Sequence, residues 1–391
     1  MLQRLLRALG NPPIQFHLAW NRERVSPDGV RAAHEVHIAN RRTLMHLALD
    51  YQMAFGDAYT AGDIEVSGDL VAFMLTLFRT PDHLYVQESA LTRALQRLNA
   101  QRRSSVAAAR DNIHRHYDLG NEFYELWLGD SMAYTCAYYD EPQCGLDHAQ
   151  FAKMDHVCRK IRLGPADTVV EAGCGWGSLA LHMAGKYGAK VRAFNISREQ
   201  IDYARRRARE KGLDGRVEFI EDDYRNIHGQ YDAFVSVGML EHVGLVNYPD
   251  LGRVVRRSLT HAGRGLIHSI GHNRPEPLQP WIERRIFPGA YPPSLGEMAQ
   301  IFEAGNLSVL DVENLRLHYA LTLRDWLQRF DGALDRVRAM FSSEAFIRMW
   351  RLYLAGSIAA FETGTLQLYQ VVFTTPENNA IPMTRDFLYR H

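Results

Sequence analysis

The sequence predicts an α/β protein: a mostly parallel seven-stranded sheet with helices on both faces, preceded by a small accessory domain. Three observations carry this. From about residue 106, strand-like runs alternate with helical ones, the strands opening at Thr168, Ala189, Val217, Tyr231, Gly265, Leu307 and Leu366. The stretch Thr168 to Ala184, TVVEAGCGWGSLALHMA, runs a β-branched strand into a glycine turn and then an amphipathic helix. Finally, 391 residues with 46% hydrophobic content can bury a large core and are long enough for two domains. We expect an accessory domain over 1–105, with a possible membrane or dimer contact, and a catalytic domain over 106–391.

In the accessory region, FGDAYTAGDIEVSGDL (Phe55 to Leu70) reads as short strands and turns. The opening MLQRLLRALG spaces Leu2, Leu5, Leu6 and Leu9 along one helix face, which suits an interfacial helix or an ordinary core-facing one. Between Arg93 and Arg110 stand five arginines and no acids, as in a linker or exposed helix. In the catalytic region each early strand is followed by a helix or loop, so ligand loops gather at the strand C-terminal ends.

The turn after Thr168 directs a helix N-terminus at a ligand, and Gly173, Gly175 and Gly177 let the backbone approach it. Close helix packing is the alternative explanation for such glycines. A dinucleotide is disfavoured: Ser178 occupies the third glycine position, and the next strand, Ala189 to Ile196, ends in Asn195 rather than an acid. The acid stands earlier, at Glu171. This arrangement resembles a class I S-adenosylmethionine methyltransferase, a Rossmann-like fold.

Composition narrows the partners. Lys plus Arg and Asp plus Glu both number 45, so no net field recruits nucleic acid. No apolar run of about 18 residues and no signal peptide is present, and a cytoplasmic location is expected. The four cysteines, Cys136, Cys144, Cys158 and Cys174, form no C-x-x-C pair, so neither disulfides nor a zinc site is expected.

Two further strand ends deliver polar groups to the same edge. Glu221, Asp222, Asp223 and Tyr224 offer carboxylates and a ring for an adenine, or else form a solvated acidic turn. SVGMLEHVG brings Glu241 and His242; Glu241 reads as a base, the orienter of a base, or a helix cap, and His242 as a loop support.

Six separated blocks then resemble the cyclopropane fatty acid synthase family over roughly residues 50 to 391. They are HYDLGNEFY (His116 to Tyr124) with YTCAY (Tyr134 to Tyr138), EAGCGWG, SVGMLEHVG, HSIG (His268 to Gly271), IFPG (Ile286 to Gly289), and LQLYQVVF (Leu366 to Phe373). The resemblance implies transfer of a methylene carbon from S-adenosylmethionine to the cis double bond of an unsaturated phospholipid acyl chain. An alkene is a weak nucleophile, so it must be held against the sulfonium methyl with water excluded. Attack leaves a carbocation, for which Tyr117, Phe123, Tyr124, Tyr138 and Phe287 are candidate aromatic neighbours, core packing being the alternative for each.

Ring closure needs a base, which the resemblance implies is a bound bicarbonate against Cys136, Glu241, His268, Ile270 and Tyr319, with Cys136 and Ile270 acting through backbone amides. For S-adenosylmethionine the implied residues are Tyr134, Thr135, Glu171, Gly173, Cys174, Gly175, Gly177, Asn195, Ile196, Ser197, Gln200, Asp222, Asp223 and Tyr224. A sibling chemistry, in which a hydride shift leaves a methyl or methylene branch, uses the same residue types. A lipid-binding scaffold with a degenerate site predicts damaged motifs, whereas the glycines, Glu241, His268 and Ile270 all stand. A bilayer substrate and no spanning segment imply peripheral contact with the inner membrane face, and a homodimer is possible. The arginines of 93–110 and the leucine face of 2–9 therefore predict co-sedimentation with vesicles that strengthens with anionic lipid and weakens with salt; binding indifferent to both would count against a membrane-surface enzyme.

Overall fold

The computed structural model describes residues 2–8, 10–80, 119–141 and 143–389. The expected domain boundary at 105/106, the arginine segment 93–110 and His116 to Asp118 lie outside the described residues. Two compact units emerge. One comprises Met1–Arg97, Leu278–Pro288 and Leu323–Leu366; the other comprises Leu98–Pro277, Gly289–Thr322 and Gln367–His391.

The first unit holds a four-stranded sheet of β1 (Ile14–Leu18), β2 (Arg24–Val25), β3 (His34–Ile38) and β4 (Ile64–Ser67), in the order β2-β1-β3-β4. Only β1 and β3 run parallel. Along β1, Ile14, Phe16 and Leu18 turn into the core with Val36, Ile38, Ile64 and Phe73. Leu2 and Leu6 join that cluster, so the helix Leu2–Ala8 turns these leucines to the core.

Phe55 to Ala61, read as strands and turns, is helical. Asp50 caps the helix Tyr51–Ala61 by accepting from the Met53 N–H at 3.3 Å, and Gly62 stops it at φ 80°. Only Ile64–Ser67 is a strand in that stretch. The helix Glu344–Thr363 packs against this helix and against Leu70–Arg79. Arg348 ties the contact: it donates to the carbonyls of Tyr59 (2.5 Å) and Ile64 (2.8 Å), and pairs with Glu65 at 2.9 Å.

The second unit is built on β5 (Thr168–Ala172), β6 (Lys190–Asn195), β7 (Val217–Glu221), β8 (Tyr231–Val237), β9 (Leu259–Gly271), β10 (Ser308–Asn314) and β11 (Gln367–Thr374). Their order is β10-β11-β9-β8-β5-β6-β7, with β5 to β9 parallel and β10 and β11 antiparallel. This is the mostly parallel seven-stranded sheet the sequence predicts. Strand β9 starts at Leu259 rather than Gly265: Thr374 and Thr375 each donate to the Gly263 carbonyl, so the glycine-bearing stretch stays in the sheet.

Successive residues of β5 feed opposite faces. Val169 joins a cluster with Leu179, Val191 and Ile201, while Val170 joins one with Phe194, Phe234 and Leu251. Strand order reverses at β5, whose two neighbours β6 and β8 depart to opposite sides. That opens a crevice at its carboxyl end. Among the described residues no helix is long and apolar enough to cross a membrane.

Gly56 faces Trp281 so closely that a Cβ there would lie 2.5 Å from the indole. A Gly→Ala change inside a helix ordinarily stabilises by about 0.5–1 kcal/mol. Overpacking costs about 1–3 kcal/mol and reverses that sign, so Gly56→Ala lowers stability in denaturant titration.

Candidate active site

The turn leaving β5 contains three glycines with positive φ, each for its own reason. Gly173 (φ 81°) has Met239 2.7 Å from where a Cβ would stand, and Gly177 (φ 82°) has Phe219 at 2.6 Å and Ala204 at 2.8 Å. Packing alone requires both. Gly175 (φ 53°) has nothing within 4 Å and borders a cavity of about 110 Å³ at the carboxyl ends of β5, β6 and β8. Its walls include Tyr134, Thr135, Glu171, Gly173, Cys174, Trp176, Asn195, Gln200, Met239 and His242.

Two buried titratable side chains, Glu171 and Lys153, line this cavity. Burial pushes Glu171 up to about 8, against the pull of Lys153 and of the Ala180 N–H in the first turn of the following helix. Burial likewise brings Lys153 down to about 8, opposed by Cys136 and Glu171. Lys153 donates to Thr135 Oγ1 at 2.8 Å, while Glu171 Oε2 is buried with no hydrogen-bond partner. Sequence reading missed Lys153. On the helix Leu146–Lys160, Gln150, Lys153, His156 and Lys160 recur at three- and four-residue spacing, which normally marks a solvated stripe; here all four are buried.

At the end of β6, Asn195 donates to Gln200 Oε1 (2.7 Å) and to the Gly175 carbonyl (3.3 Å), and its Oδ1 accepts from the Ile196 N–H at 2.9 Å. This links the turn to the helix Arg198–Glu210. Ser197 is that helix's cap, accepting from the Gln200 N–H. After β7, Asp222 and Asp223 engage their own loop. Asp222 accepts from the Asp223 N–H and the Asn226 amide, and Asp223 caps the turn Tyr224–Asn226 while pairing with Arg225 at 3.1 Å. Tyr224 is buried in the core with the Arg225 guanidinium 4.9 Å from its ring centre. The cavity does not include these three among its walls.

Of the second predicted group, His268 and Ile270 stand on β9 and Glu241 just beyond β8, near in the chain to the lining residues Val237, Met239 and His242. Glu241 lies in the short helix Leu240–Val243 just beyond β8. Its Oε1 accepts from the Ile270 N–H at 2.7 Å; Oε2 is buried without a hydrogen-bond partner, and burial pushes the group up to about 7. The Ile270 amide, expected to face an ion, is thus engaged by Glu241. His268 is 1% exposed, its Nδ1 lies 3.1 Å from Gln370 Nε2, and burial beside Lys153 and Lys160 holds it well below the usual histidine range.

Cys136 and Tyr319 converge on one carbonyl: the Cys136 thiol reaches Leu315 O at 3.8 Å and the Tyr319 N–H donates to it at 3.2 Å. Burial pushes the Cys136 thiol up, which disfavours the thiolate form. Burial lowers His242 to about 4, leaving it neutral at physiological pH.

The aromatic candidates divide. Phe123 and Tyr124 are fully buried, their rings meeting at 5.3 Å, and Tyr124 also meets Trp176 at 5.0 Å. Tyr138 stacks between His156 (4.2 Å) and His318 (4.8 Å). Phe287 belongs to the first unit, against Tyr353, and Tyr117 lies outside the described residues.

Comparison with known proteins agrees with this architecture. A family model described as mycolic acid cyclopropane synthetase matches residues 104–371. A probable fatty acid methyltransferase of Pseudomonas putida is 38% identical over 347 residues, 86% of each chain. The cyclopropane-fatty-acyl-phospholipid synthase of Escherichia coli K12 is 39% identical over 271 residues, 69% of each chain. Among solved structures, mycolic acid cyclopropane synthase CmaA1 complexed with SAH and CTAB aligns with a TM-score of 0.64 at 27% identity, covering 68% of this chain and 98% of that one. With the family model spanning most of the chain, and the sheet order and glycine turn in agreement, the protein belongs to the mycolic acid cyclopropane synthetase family, on the class I S-adenosylmethionine-dependent methyltransferase fold.

Proposed function

We propose that this enzyme transfers a methylene carbon from S-adenosylmethionine to the cis double bond of an unsaturated phospholipid acyl chain, forming a cyclopropane ring. The observation that carries the reading is a pair of buried carboxyl oxygens without hydrogen-bond partners, one on Glu171, which lines the cavity, and one on Glu241, next in the chain to the lining residue His242. An unpartnered buried acceptor is costly, and a ligand donor offsets that cost.

The cavity suits the donor. S-adenosylmethionine carries an ammonium and a carboxylate on one carbon, complementary to Glu171 and Lys153. Gly175 leaves room for backbone approach, and Asn195 with Gln200 holds the turn beneath it. The other wall suits an anion. A bound bicarbonate would supply the base that removes the ring-closing proton. Glu241 Oε2 can accept its hydroxyl, while His268 and Tyr319 supply donor types and Cys136 a nearby backbone amide. The Ile270 amide orients Glu241 by holding Oε1. A protonated Cys136 offers a carbocation no thiolate to capture it.

A second reading, transfer that leaves a methyl or methylene branch, is favoured by the Pseudomonas relative, whose match covers 86% of the chain. Both readings share the cavity and the phospholipid substrate, met at the membrane surface from the cytoplasmic side.

Purified protein, labelled S-adenosylmethionine and vesicles of monounsaturated phospholipid test the proposal directly. Mass spectrometry with hydrogenation separates the readings: label in a ring-bearing saturated chain is expected, label in a branched chain selects the second, and none overturns both. Glu241→Gln and His268→Ala are expected to cut turnover at least tenfold with S-adenosylmethionine affinity nearly unchanged, by calorimetry. Lys153→Met instead weakens that affinity about tenfold or more.

The raised Glu241 carboxyl also sets a pH dependence. The folded state binds its proton more tightly than the unfolded chain, so its contribution to stability is complete below the ordinary glutamate value of 4.5 and is lost as pH rises to about 7. That loss is on the order of 3 kcal/mol. Glu241→Gln removes it, so the variant's unfolding free energy falls less than the wild type's between pH 5 and 7.

A further inference from the structure

A line of buried polar groups leads away from His268, and none of them belongs to the machinery described above. Gln370 on β11 stands opposite His268 on β9 in the antiparallel register. Its Nε2 lies 3.1 Å from His268 Nδ1, and its Oε1 accepts from Lys160 Nζ at 2.7 Å. Lys160, with a side chain 1% exposed, also reaches Glu313 Oε2 at 2.6 Å, and that oxygen accepts from His156 Nε2 at 2.7 Å. Gln370 and His156 are fully buried.

We propose that Lys160 and Gln370 are positioning residues that lock His268 in a single tautomer with its proton on Nε2, making the ring a donor toward a bound anion. The derivation starts from the residue with least freedom. An ammonium has three donors and no acceptor, so the atom of Gln370 facing Lys160 must be the carbonyl oxygen. Burial lowers Lys160, and Glu313 opposes this by its charge and its hydrogen bond; His156 and Lys160 in turn outweigh burial and bring the Glu313 carboxyl down to about 2.

With its oxygen committed, Gln370 can offer His268 only an N–H. Nδ1 therefore accepts. A neutral imidazole with an accepting Nδ1 carries its proton on Nε2. Burial beside Lys153 and Lys160 supports the neutral form. Rotating the amide by half a turn would set an NH2 against an ammonium, two donors with no acceptor between them. The network thus has one consistent assignment of protons.

The part played by this donor rests on the anion reading proposed above; the tautomer does not. A ring in the other tautomer would present a lone pair to the anion and repel it. His268 in this arrangement orients and donates, leaving proton removal to another group.

The test is ¹⁵N-histidine NMR on the full-length protein, reading two-bond ¹H–¹⁵N correlations, with the His268 signal identified by its loss in His268→Gln. The expected pattern is the Nε2–H tautomer from pH 6 to 8, kept in Lys160→Arg, which preserves a donor-only cation. Gln370→Glu puts an acceptor on both sides and is expected to move a proton onto Nδ1. It should lower kcat by about 10–100-fold with S-adenosylmethionine affinity unchanged.

A wild-type ring protonated at Nδ1 overturns the proposal, and the wild-type spectrum decides this even where a variant fails to fold. So does a folded Gln370→Glu protein with unchanged tautomer and kcat. A wild-type Nε2–H signal that moves to Nδ1 in Gln370→Glu, in a protein that forms no lipid product, supports the lock and overturns the proposed function alone.

Discussion

The second unit depends on one constraint: charge taken out of water must be paired inside. The helix Leu146–Lys160 buries four polar side chains along one stripe, and each needs a partner that another element supplies. Gln150 donates to the carbonyls of Ala133 and Thr135, and Lys153 donates to Thr135 Oγ1. His156 and Lys160 share Glu313 at the far edge of the sheet. These bonds bind the segment before the sheet to its antiparallel edge, and the site residues lie between.

The same constraint separates binding groups from reacting ones. Glu171 and Lys153 are both buried beside the cavity and neither fully satisfies the other, so a ligand with paired charges completes them. Glu241 has one oxygen held by the Ile270 amide and the other idle. The sheet reversal at β5 brings both carboxylates to one crevice although 70 residues separate them. Hydrophobic packing makes this precise, since Gly173 and Gly177 admit no side chain against Met239 and Phe219.

Much of this architecture is legible in the sequence. The β-branched run Thr168 to Val170 and the alternation of strand-like with helical segments mark the sheet, because a strand covered on both faces is apolar along most of its length. The glycine turn announced a ligand edge, and Ser178 with Asn195 removed a dinucleotide. Strand β9 opens at Leu259 rather than at the predicted Gly265, because its first residues are held by β8 and by Thr374 and Thr375, segments that no local pattern reveals. Residues 55–61 were misread for a related reason: glycine and threonine weaken a helix locally, but the Asp50 cap and packing on Trp281 decide the matter.

Sequence by itself determined the family, the order of strands and helices, and the residue types that reach the ligand edge, since motif spacing and local periodicity are properties of the chain. Tertiary structure decided which groups lose their water. Lys153 and Lys160 look like any surface lysines until the helix is packed, and only the folded loop shows Asp222 and Asp223 bracing their own turn. Which proton each buried group carries is set by distances between segments far apart in the chain, and no local pattern encodes those distances.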